Sequence, residues 1–132
     1  MSAIQSRWAT TTGHVAGLAL LFVAAGMGLG AIVELLDGSN GGAMVGATAI
    51  TSGVGFLLWQ STRPGRLDHA TVFTAVGGTW LIVSVMGALP YLLAGTFDRP
   101  GIGLPVVIAD ALFESVSGYS CTGSTVFGTH NP

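Results

Sequence analysis

Three long segments that are nearly free of charge constrain the fold of this chain more than any other feature. They run from His14 to Leu36, from Gly41 to Gln60 and from Thr71 to Leu93. Each is long enough to cross about 30 Å of hydrocarbon as a helix, which takes roughly 20 apolar residues. With 8% charged residues and a mean hydropathy of +0.70, a soluble domain could not cover its surface with polar groups. The sequence therefore predicts an all-α integral membrane protein surrounded by membrane lipid.

The first segment admits a second interpretation, because a basic residue, Arg7, followed by an apolar run is also typical of a secretory signal peptide. Its charge-free core covers residues 15–33, which exceeds the roughly 7 to 15 apolar residues of such a signal. We therefore predict that this segment is a membrane helix that stays in the protein.

Basic residues in the connections predict the orientation in the membrane. The turn "LLDGSNGG" after the first segment contains none, whereas "STRPGRLDH" after the second contains Arg63 and Arg66, and Arg7 precedes the first segment. Cationic connections stay in the cytoplasm. We therefore predict a multi-pass protein of the cytoplasmic membrane, with the N-terminus inside and everything after the third segment outside. Arg99 is an exception on the external side, and we expect neighbouring Asp98 to pair with it.

The composition argues against several other function classes. The chain has four arginines, six acidic residues and no lysine, so no basic patch exists to hold nucleic acid and a Walker A phosphate loop lacks its lysine. Cys121 is the single cysteine, which excludes an internal disulfide. No His, Cys, Asp or Glu residues have the spacing of metal ligands. We predict neither a cofactor nor enzymatic activity.

Glycines recur at a four-residue spacing within the first two segments. This spacing lets helix backbones approach closely in lipid, and close packing within the chain is the simplest interpretation. A specific homodimer contact would use the same spacing and stays open. The pairs are Gly13/Gly17, Gly26/Gly30 and Gly42/Gly46.

The stretch "DALFESVSG" predicts a short helix. Asp110 is a suitable N-cap, the residues to Ser117 favour or tolerate helix, and Gly118 stands where a left-handed C-terminal residue is expected. Such a helix has about eight residues and is roughly 12 Å long, less than half of the hydrocarbon thickness. The preceding "AGTFDRPGIGLPVVIA" is interrupted by proline and glycine and indicates an external loop. We therefore expect the helix to re-enter the membrane rather than span it.

The stretch "YSCTGSTV" that follows consists mainly of small residues. Non-helical backbone inside a membrane must be buried in protein or line a watery path. Gly123 can take the dihedral angles that turn a carbonyl inward, while Ser120, Thr122, Ser124 and Thr125 can satisfy backbone groups without bulk. Main-chain carbonyls that replace the hydration shell suit a weakly hydrated monovalent cation such as K⁺. A Gly/Ser turn at the membrane surface is the competing interpretation.

One acidic residue on the predicted short helix has two possible roles. Glu114 lies one turn after Asp110. It either supports the ion site, by raising the local cation concentration or by hydrogen-bonding the loop, or it simply faces the outer water. Asp110 and Glu114 are therefore the candidate supporting residues of the short helix.

The stretches "WLIVSVMGALPYLLAG" and "DALFESVSGYSCTGSTVF" resemble the bacterial Trk and Ktr potassium transporters. In that family four repeats, each of membrane helix, pore helix, filter loop and membrane helix, surround one pore, and the Trk branch has two extra helices first. The resemblance implies that the family filter, Thr-Thr-Thr-Gly and a small residue, corresponds to Ser120, Cys121, Thr122, Gly123 and Ser124. It implies K⁺ binding by the main-chain carbonyls of Cys121, Thr122 and Gly123. Ser120 and Cys121 depart from the usual threonines, which could shift affinity or selectivity.

The resemblance also implies a division of the chain and a set of partners. Residues 1–66 would form an N-terminal transmembrane hairpin, and residues 67–132 the first membrane helix, pore helix and filter loop of a repeat whose second membrane helix is missing. The chain would be the N-terminal portion of a subunit for K⁺ uptake across the bacterial inner membrane, a truncated product, or part of a protein completed by a separate chain. The implied partners are the remaining repeats, a second copy in a homodimer and a cytoplasmic nucleotide-binding regulatory subunit. Symport with Na⁺ or H⁺ stays open, and a non-conducting glycine-rich assembly protein is the alternative.

Overall fold

The structure, a computed structural model, describes residues 2–65 and 68–127, with side chains from Thr10 onward. These residues form five α-helices and no strand. Arg66, the side chain of Arg7 and the boundary expected between residues 66 and 67 lie outside the described part. The helices are α1 (Ser2–Leu36), α2 (Gly42–Ser61), α3 (His69–Gly87), α4 (Leu89–Leu93) and α5 (Leu104–Ser120).

Three helical stretches are long and apolar enough to cross a membrane, namely Thr10–Leu36, Gly42–Ser61 and His69–Leu93. They match the three predicted segments. Large apolar side chains point outward, with Phe22 75% exposed and Phe73 80% exposed, while most buried positions of these helices hold alanine, threonine or glycine. Helix interfaces rich in small residues are characteristic of association in lipid. The chain is therefore a multi-pass membrane protein.

α1 and α2 pack against each other along most of their length. Their backbones approach most closely at Gly17, where a Cβ atom would lie 2.5 Å from the Trp59 nitrogen and 2.8 Å from the Gly55 carbonyl oxygen. Only glycine permits this approach. Gly13 also faces the C-terminal end of α2, whereas Gly26 has no neighbouring atom within 4 Å of a Cβ position. Of the spaced glycines on α1, the first pair is thus the one that packs closely.

The connection from α2 to α3 is attached to the N-terminal part of α1. His14 Nδ1 donates a hydrogen bond to the Thr62 carbonyl at 2.9 Å, and the Gly65 amide donates to Thr11 Oγ1 at 3.0 Å. Since a carbonyl only accepts, Nδ1 carries the hydrogen of the His14 ring. These two bonds hold the first half of the connection against α1.

α3 begins with a side-chain cap and ends at a break. Asp68 Oδ1 accepts a hydrogen bond from the Thr71 amide at 2.9 Å, and hydrogen bonds from the Thr71 side chain and backbone lower the pKa of Asp68 from its ordinary value. The helix is interrupted at Ala88, shortly before Pro90. Proline lacks the amide hydrogen that continues a helix and its ring clashes with the preceding turn. The short α4 then carries the chain to Leu93.

A small hydrophobic core lies where α4, α5 and the connection 94–103 meet. Phe97, on that connection, is 1% exposed and packs with Ala88, Val107 and Ala111. The ring centroid of Tyr91 lies 5.9 Å from that of Phe97. A buried aromatic anchor therefore fixes the connection against both helices.

The structure corrects the prediction for the short helix. α5 begins at Leu104, with Pro105 in its first turn, rather than at Asp110. Proline is tolerated there because first-turn amides have no intrahelical acceptor. α5 has 17 residues, which makes it about 25 Å long, and it ends at Ser120 rather than before Gly118. Asp110 is an interior helical residue and not an N-cap, and the connection 94–103 is shorter than the loop 94–109 expected from the sequence.

Candidate functional site

α5 lies antiparallel to α3 and packs its C-terminal half against the last turn of that helix. Ser115 Oγ donates a hydrogen bond to the Ser84 carbonyl at 2.6 Å. One turn later, Tyr119 lines a cavity of about 270 Å³ together with Thr79 and Val83. As numbers rise along α5 they fall along α3, and Thr79 is close to the midpoint of the apolar stretch 69–93. The last turn of α5 therefore lies beside the part of α3 between Thr79 and Gly87, within the third membrane-compatible stretch.

Gly87 permits this close contact between α3 and α5. A Cβ atom at Gly87 would lie 2.5 Å from Cε2 of the Tyr119 ring and also collide with Ser115 Oγ. Ser84 and Ser115 are both buried, at 6% and 4% exposure, so their hydrogen bond forms inside the protein. The position of α5 is thus set by Gly87 of α3 and by the hydrogen bond between Ser84 of α3 and Ser115 of α5.

The chain reverses immediately after α5. Cys121 has the left-handed backbone conformation, with φ of 54°, and its amide donates to the Gly118 carbonyl at 3.3 Å. The Thr122 amide donates to the Ser117 carbonyl at 3.3 Å. This is the pattern of a left-handed helix C-cap, which satisfies the last carbonyls of a helix. The sequence predicted a left-handed residue at Gly118, and the structure places it at Cys121.

After the reversal the chain runs back along α5. Ser117 Oγ donates to the Ser124 carbonyl at 2.5 Å. Glu114 Oε1, one turn earlier on α5, accepts from Thr125 Oγ1 at 2.5 Å and from the Val126 amide at 2.6 Å. Progressively later loop residues thus contact progressively earlier helix residues. The loop 121–126 therefore forms a tight return that is bonded to the helix it leaves.

The end of the return reaches the hydrophobic core beyond α4. The ring of Phe127 lies 5.2 Å from that of Phe97, centroid to centroid, and Val126 packs against the same core. Phe97 belongs to the connection between α4 and α5. The chain therefore enters along α5 and comes back to the end from which α5 started.

Hydrogen bonding divides the carbonyls of the return into two groups. The Ser124 carbonyl is engaged by Ser117. Within the described residues, the carbonyls of Cys121, Thr122 and Gly123 accept no hydrogen bond. Gly123 has φ of 68°, a conformation that L side chains rarely adopt. These three consecutive carbonyls are unpaired, and two of their residues, Cys121 and Gly123, have the left-handed conformation. Their oxygens are available to coordinate a cation.

Hydroxyl groups hold the inner side of the return. Thr122 Oγ1 donates to the Ser117 carbonyl at 3.4 Å and lies 3.1 Å from Ser117 Oγ, whose own hydrogen is used on the Ser124 carbonyl. Ser120 Oγ lies 3.1 Å from Thr122 Oγ1 and donates to the Ser117 carbonyl at 3.3 Å. The Thr122 side chain is therefore directed at α5.

The two acidic residues of α5 have different roles. Glu114 is hydrogen-bonded to the return loop at Thr125 and Val126. Asp110 Oδ2 instead lies 3.7 Å from Arg99 Nη2, so Arg99 pairs with Asp110 and not with Asp98 as expected. Both partners are partly exposed, and such a pair contributes at most about 1 kcal/mol. It connects the 94–103 segment to α5.

The structure brings together Ser120 to Ser124 and Glu114, which the sequence singled out. It separates Asp110 from them, since Asp110 contacts Arg99 on the preceding connection. The sequence did not single out Ser117, although it touches both Thr122 and Ser124. A hydroxyl residue in the last full turn of a helix that precedes a tight return was the available signal, because such side chains bond nearby backbone.

Comparison with known proteins finds relatives along most of the chain. It is 30% identical over 116 residues to the Trk system potassium uptake protein TrkH of Salmonella typhimurium and to that of Escherichia coli K12, which covers 85% of this chain and 22% of each relative. The protein of the same name from Halomonas elongata is 34% identical over 86 residues, covering 64% of this chain and 16% of the relative. The chain is TrkH-like in sequence. It spans about a fifth of the length of the curated relatives it matches.

The other comparisons add no further assignment. No family model matches the chain, and no solved structure matches it. The chain is thus similar in sequence to a part of the TrkH proteins, and its described residues include three helical stretches long enough to cross a membrane.

Proposed function

We propose that this chain provides one quarter of a K⁺ filter in a protein that takes up K⁺ across the bacterial inner membrane. α5 is the pore helix of this proposal, and Ser120 to Ser124 form the filter segment. K⁺ is held by the main-chain carbonyls of Cys121, Thr122 and Gly123 and needs no bound cofactor. The process is transport without an enzymatic step.

The observation that supports this proposal is the reversal of the chain beside α3, within the membrane-compatible stretch His69–Leu93. It leaves three consecutive carbonyls unpaired, where a lipid environment would offer them no partner. Carbonyl oxygens that replace a hydration shell are how K⁺ filters bind their ion. The C-terminal end of α5 lies directly before these carbonyls, and the negative end of its dipole favours a cation.

The proposal includes partners, because four such segments are needed to surround an ion. The remaining repeats would supply the other three, and α1 and α2 would be the extra hairpin that precedes the first repeat. We further propose a homodimer and a cytoplasmic nucleotide-binding subunit, as the resemblance implies. The support for all of these is the similarity to TrkH proteins, of which the chain spans about a fifth.

A non-conducting assembly protein is the less favoured alternative. Close glycine contacts at Gly17 and Gly87 would serve such a protein equally well. An assembly function, however, does not explain a return loop that is hydrogen-bonded to Ser117 and Glu114 while the carbonyls at its apex stay unpaired. The relatives are named potassium uptake proteins, which also favours transport.

A chimera tests the proposal directly. Residues 104–127 replace the corresponding segment of the Escherichia coli TrkH protein, which is expressed in a host without other K⁺ uptake systems. We expect K⁺ uptake to be restored. Gly123→Val should then reduce the uptake rate or the K⁺/Na⁺ selectivity about tenfold, because a left-handed residue with a side chain costs roughly 1–2 kcal/mol and the strain would shift the carbonyl.

Two further variants serve as comparisons. Cys121→Thr, which introduces the threonine usual in the family, should have a smaller effect than Gly123→Val. Gly118→Ala lies in the helical part of α5, where a Cβ atom has no neighbour within 4 Å, and should leave uptake unchanged. Equal and negligible effects of the Gly123 and Cys121 substitutions would contradict carbonyl coordination by this segment.

A further inference from the structure

A cleft lies between the N-terminal part of α1 and the C-terminal end of α2. It has a volume of about 500 Å³ and opens beside the connection from α2 to α3. The membrane-compatible stretch Gly42–Ser61 ends here, and the polar connection to α3 follows it. The end of a stretch that crosses the hydrocarbon lies at the level of the lipid headgroups, and Trp59 is a residue typical of that level. The lining residues of the cleft are His14, Trp59, Gln60, Thr62, Arg63 and Pro64.

Three hydrogen-bond donors of this cleft are unused within the described residues. Arg63 forms no ion pair there, and neither the Gln60 amide nor the Trp59 indole nitrogen forms a hydrogen bond. All three side chains are exposed. None of the described residues that line the cleft is acidic, and the nearest carboxylate along the chain, Asp68, is engaged by Thr71. The cleft thus offers donors and one positive charge with no competing anion.

The backbone under these donors is held in place. His14 bonds the Thr62 carbonyl and Gly65 bonds Thr11, while Thr62 Oγ1 donates to the Leu58 carbonyl of α2. The rings of His14 and Trp59 lie 6.4 Å apart, centroid to centroid. A ligand would therefore meet an ordered cleft rather than having to order a loose segment.

The charge distribution of the chain favours an anionic ligand at this end. In the sequence, Arg63 and Arg66 belong to the connection between α2 and α3 and Arg7 precedes the first apolar segment, with Asp68 as the one acid nearby. The other five acids and Arg99 belong to the segments Glu34–Asp37 and Asp98–Glu114. Basic clefts between membrane helices at the headgroup level are typical sites for anionic lipid.

We propose that this cleft binds the phosphate headgroup of an anionic phospholipid. The Arg63 guanidinium meets the phosphate oxygens, with the Gln60 amide and Trp59 indole as further donors. Trp59 also anchors the end of α2 at the interface, where tryptophan is enriched. This inference does not depend on ion transport, so it stands or falls separately from the proposed function.

Fluorescence of Trp59 tests the proposal on the 132-residue chain. Trp8→Phe and Trp80→Phe leave Trp59 as the single tryptophan, and the protein is reconstituted into phosphatidylcholine vesicles. A minor fraction of brominated phosphatidylglycerol is compared with the same fraction of brominated phosphatidylcholine, since bromine quenches a neighbouring tryptophan. We expect stronger quenching by the anionic lipid, corresponding to a local enrichment of about fivefold.

Charge variants show whether Arg63 creates the preference. Arg63→Gln should remove most of the enrichment, while Arg63→Lys should retain part of it because the charge stays and the planar fork is lost. Arg99→Gln removes the same charge from the other end and should change nothing at Trp59. Circular dichroism monitors the helix content of each variant.

Several outcomes would overturn the proposal. Equal quenching of the unsubstituted Arg63 protein by both brominated lipids would show that no preference exists, and this comparison needs no folded variant. Full preference in Arg63→Gln would place the lipid elsewhere. Loss of the preference on adding millimolar inorganic phosphate would show that the cleft takes a free phosphate rather than a lipid headgroup.

Discussion

At the residue scale, Glu114 determines how the return loop is held. One of its carboxylate oxygens accepts both the Thr125 hydroxyl and the Val126 amide. Hydrogen bonds to charged groups are stronger than neutral ones, and Glu114 is half-buried. Its role in the proposed filter is therefore positional, since it contacts the end of the loop and not the unpaired carbonyls at its apex.

Replacing Glu114 distinguishes hydrogen bonding from charge. Glu114→Gln keeps an acceptor oxygen and should preserve the loop, whereas Glu114→Ala removes the acceptor of two donors and should cost about 1–3 kcal/mol. The measurement is thermal unfolding in detergent, together with K⁺/Na⁺ selectivity in the chimera. If Glu114→Gln were as damaging as Glu114→Ala, the negative charge and not the hydrogen bonding would be what matters.

The pKa of Asp68 gives a prediction about pH. Because hydrogen bonds from Thr71 lower the pKa of the folded state, the contribution of this cap is complete above the ordinary value of 3.8 and is lost as pH falls through the lower folded value. A titration of the Asp68 carboxyl carbon by NMR should give a midpoint below 3.8. Thr71→Val should raise it toward the ordinary value, and an unchanged midpoint would contradict the role of the Thr71 hydroxyl.

At the scale of elements, the contact between α3 and α5 decides where the return loop begins. It depends on the close approach at Gly87 and on the buried bond from Ser115 to Ser84. None of these three residues stands out in the sequence, since glycine and serine are common throughout the chain. The depth of the loop is thus a property of helix packing and not of the loop itself.

Two alanine substitutions on one helix test this contact. Gly87→Ala places a methyl group against Tyr119 and Ser115 and should destabilise the protein by about 1–3 kcal/mol, as overpacking does. Gly77→Ala, also on α3, has no atom within 4 Å of its Cβ position and should be neutral or stabilising. Thermal unfolding of the two variants in the same detergent gives the difference. Equal melting temperatures would show that the two helices are not in close contact.

At the scale of the whole molecule, the distribution of arginine predicts the orientation. The end that carries the 62–68 connection should lie in the cytoplasm, and the turn after α1 outside. Ser39 and Ser61 are exposed residues at these two ends. They provide matched positions for a labelling experiment, since both are serines that border α1 or α2.

Labelling from outside the cell checks this orientation. In a Cys121→Ser background, Ser39→Cys should react with a membrane-impermeant thiol reagent added to intact cells, and Ser61→Cys should react only after permeabilisation. The background protein without cysteine gives the unlabelled baseline. The reverse pattern of labelling would show that the N-terminus lies outside.

The sequence by itself determined the membrane class, the three crossing segments and the small-residue stretch near Gly123. These features follow from the hydropathy and the size of consecutive residues, which can be taken directly from the sequence. It failed at the start of α5, because Pro105 and Gly103 resemble loop residues although the first turn of a helix tolerates both. It also placed the helix end at Gly118, although the left-handed residue is Cys121.

Only the tertiary structure decided which groups meet. The bonds from Ser115 to Ser84, from Glu114 to Val126 and from Arg99 to Asp110 join residues 11 to 31 positions apart. No local pattern selects such partners, because each depends on the angle and depth at which α5 packs against α3. That packing, through Gly87, fixes the level at which the backbone turns back and leaves its carbonyls unpaired.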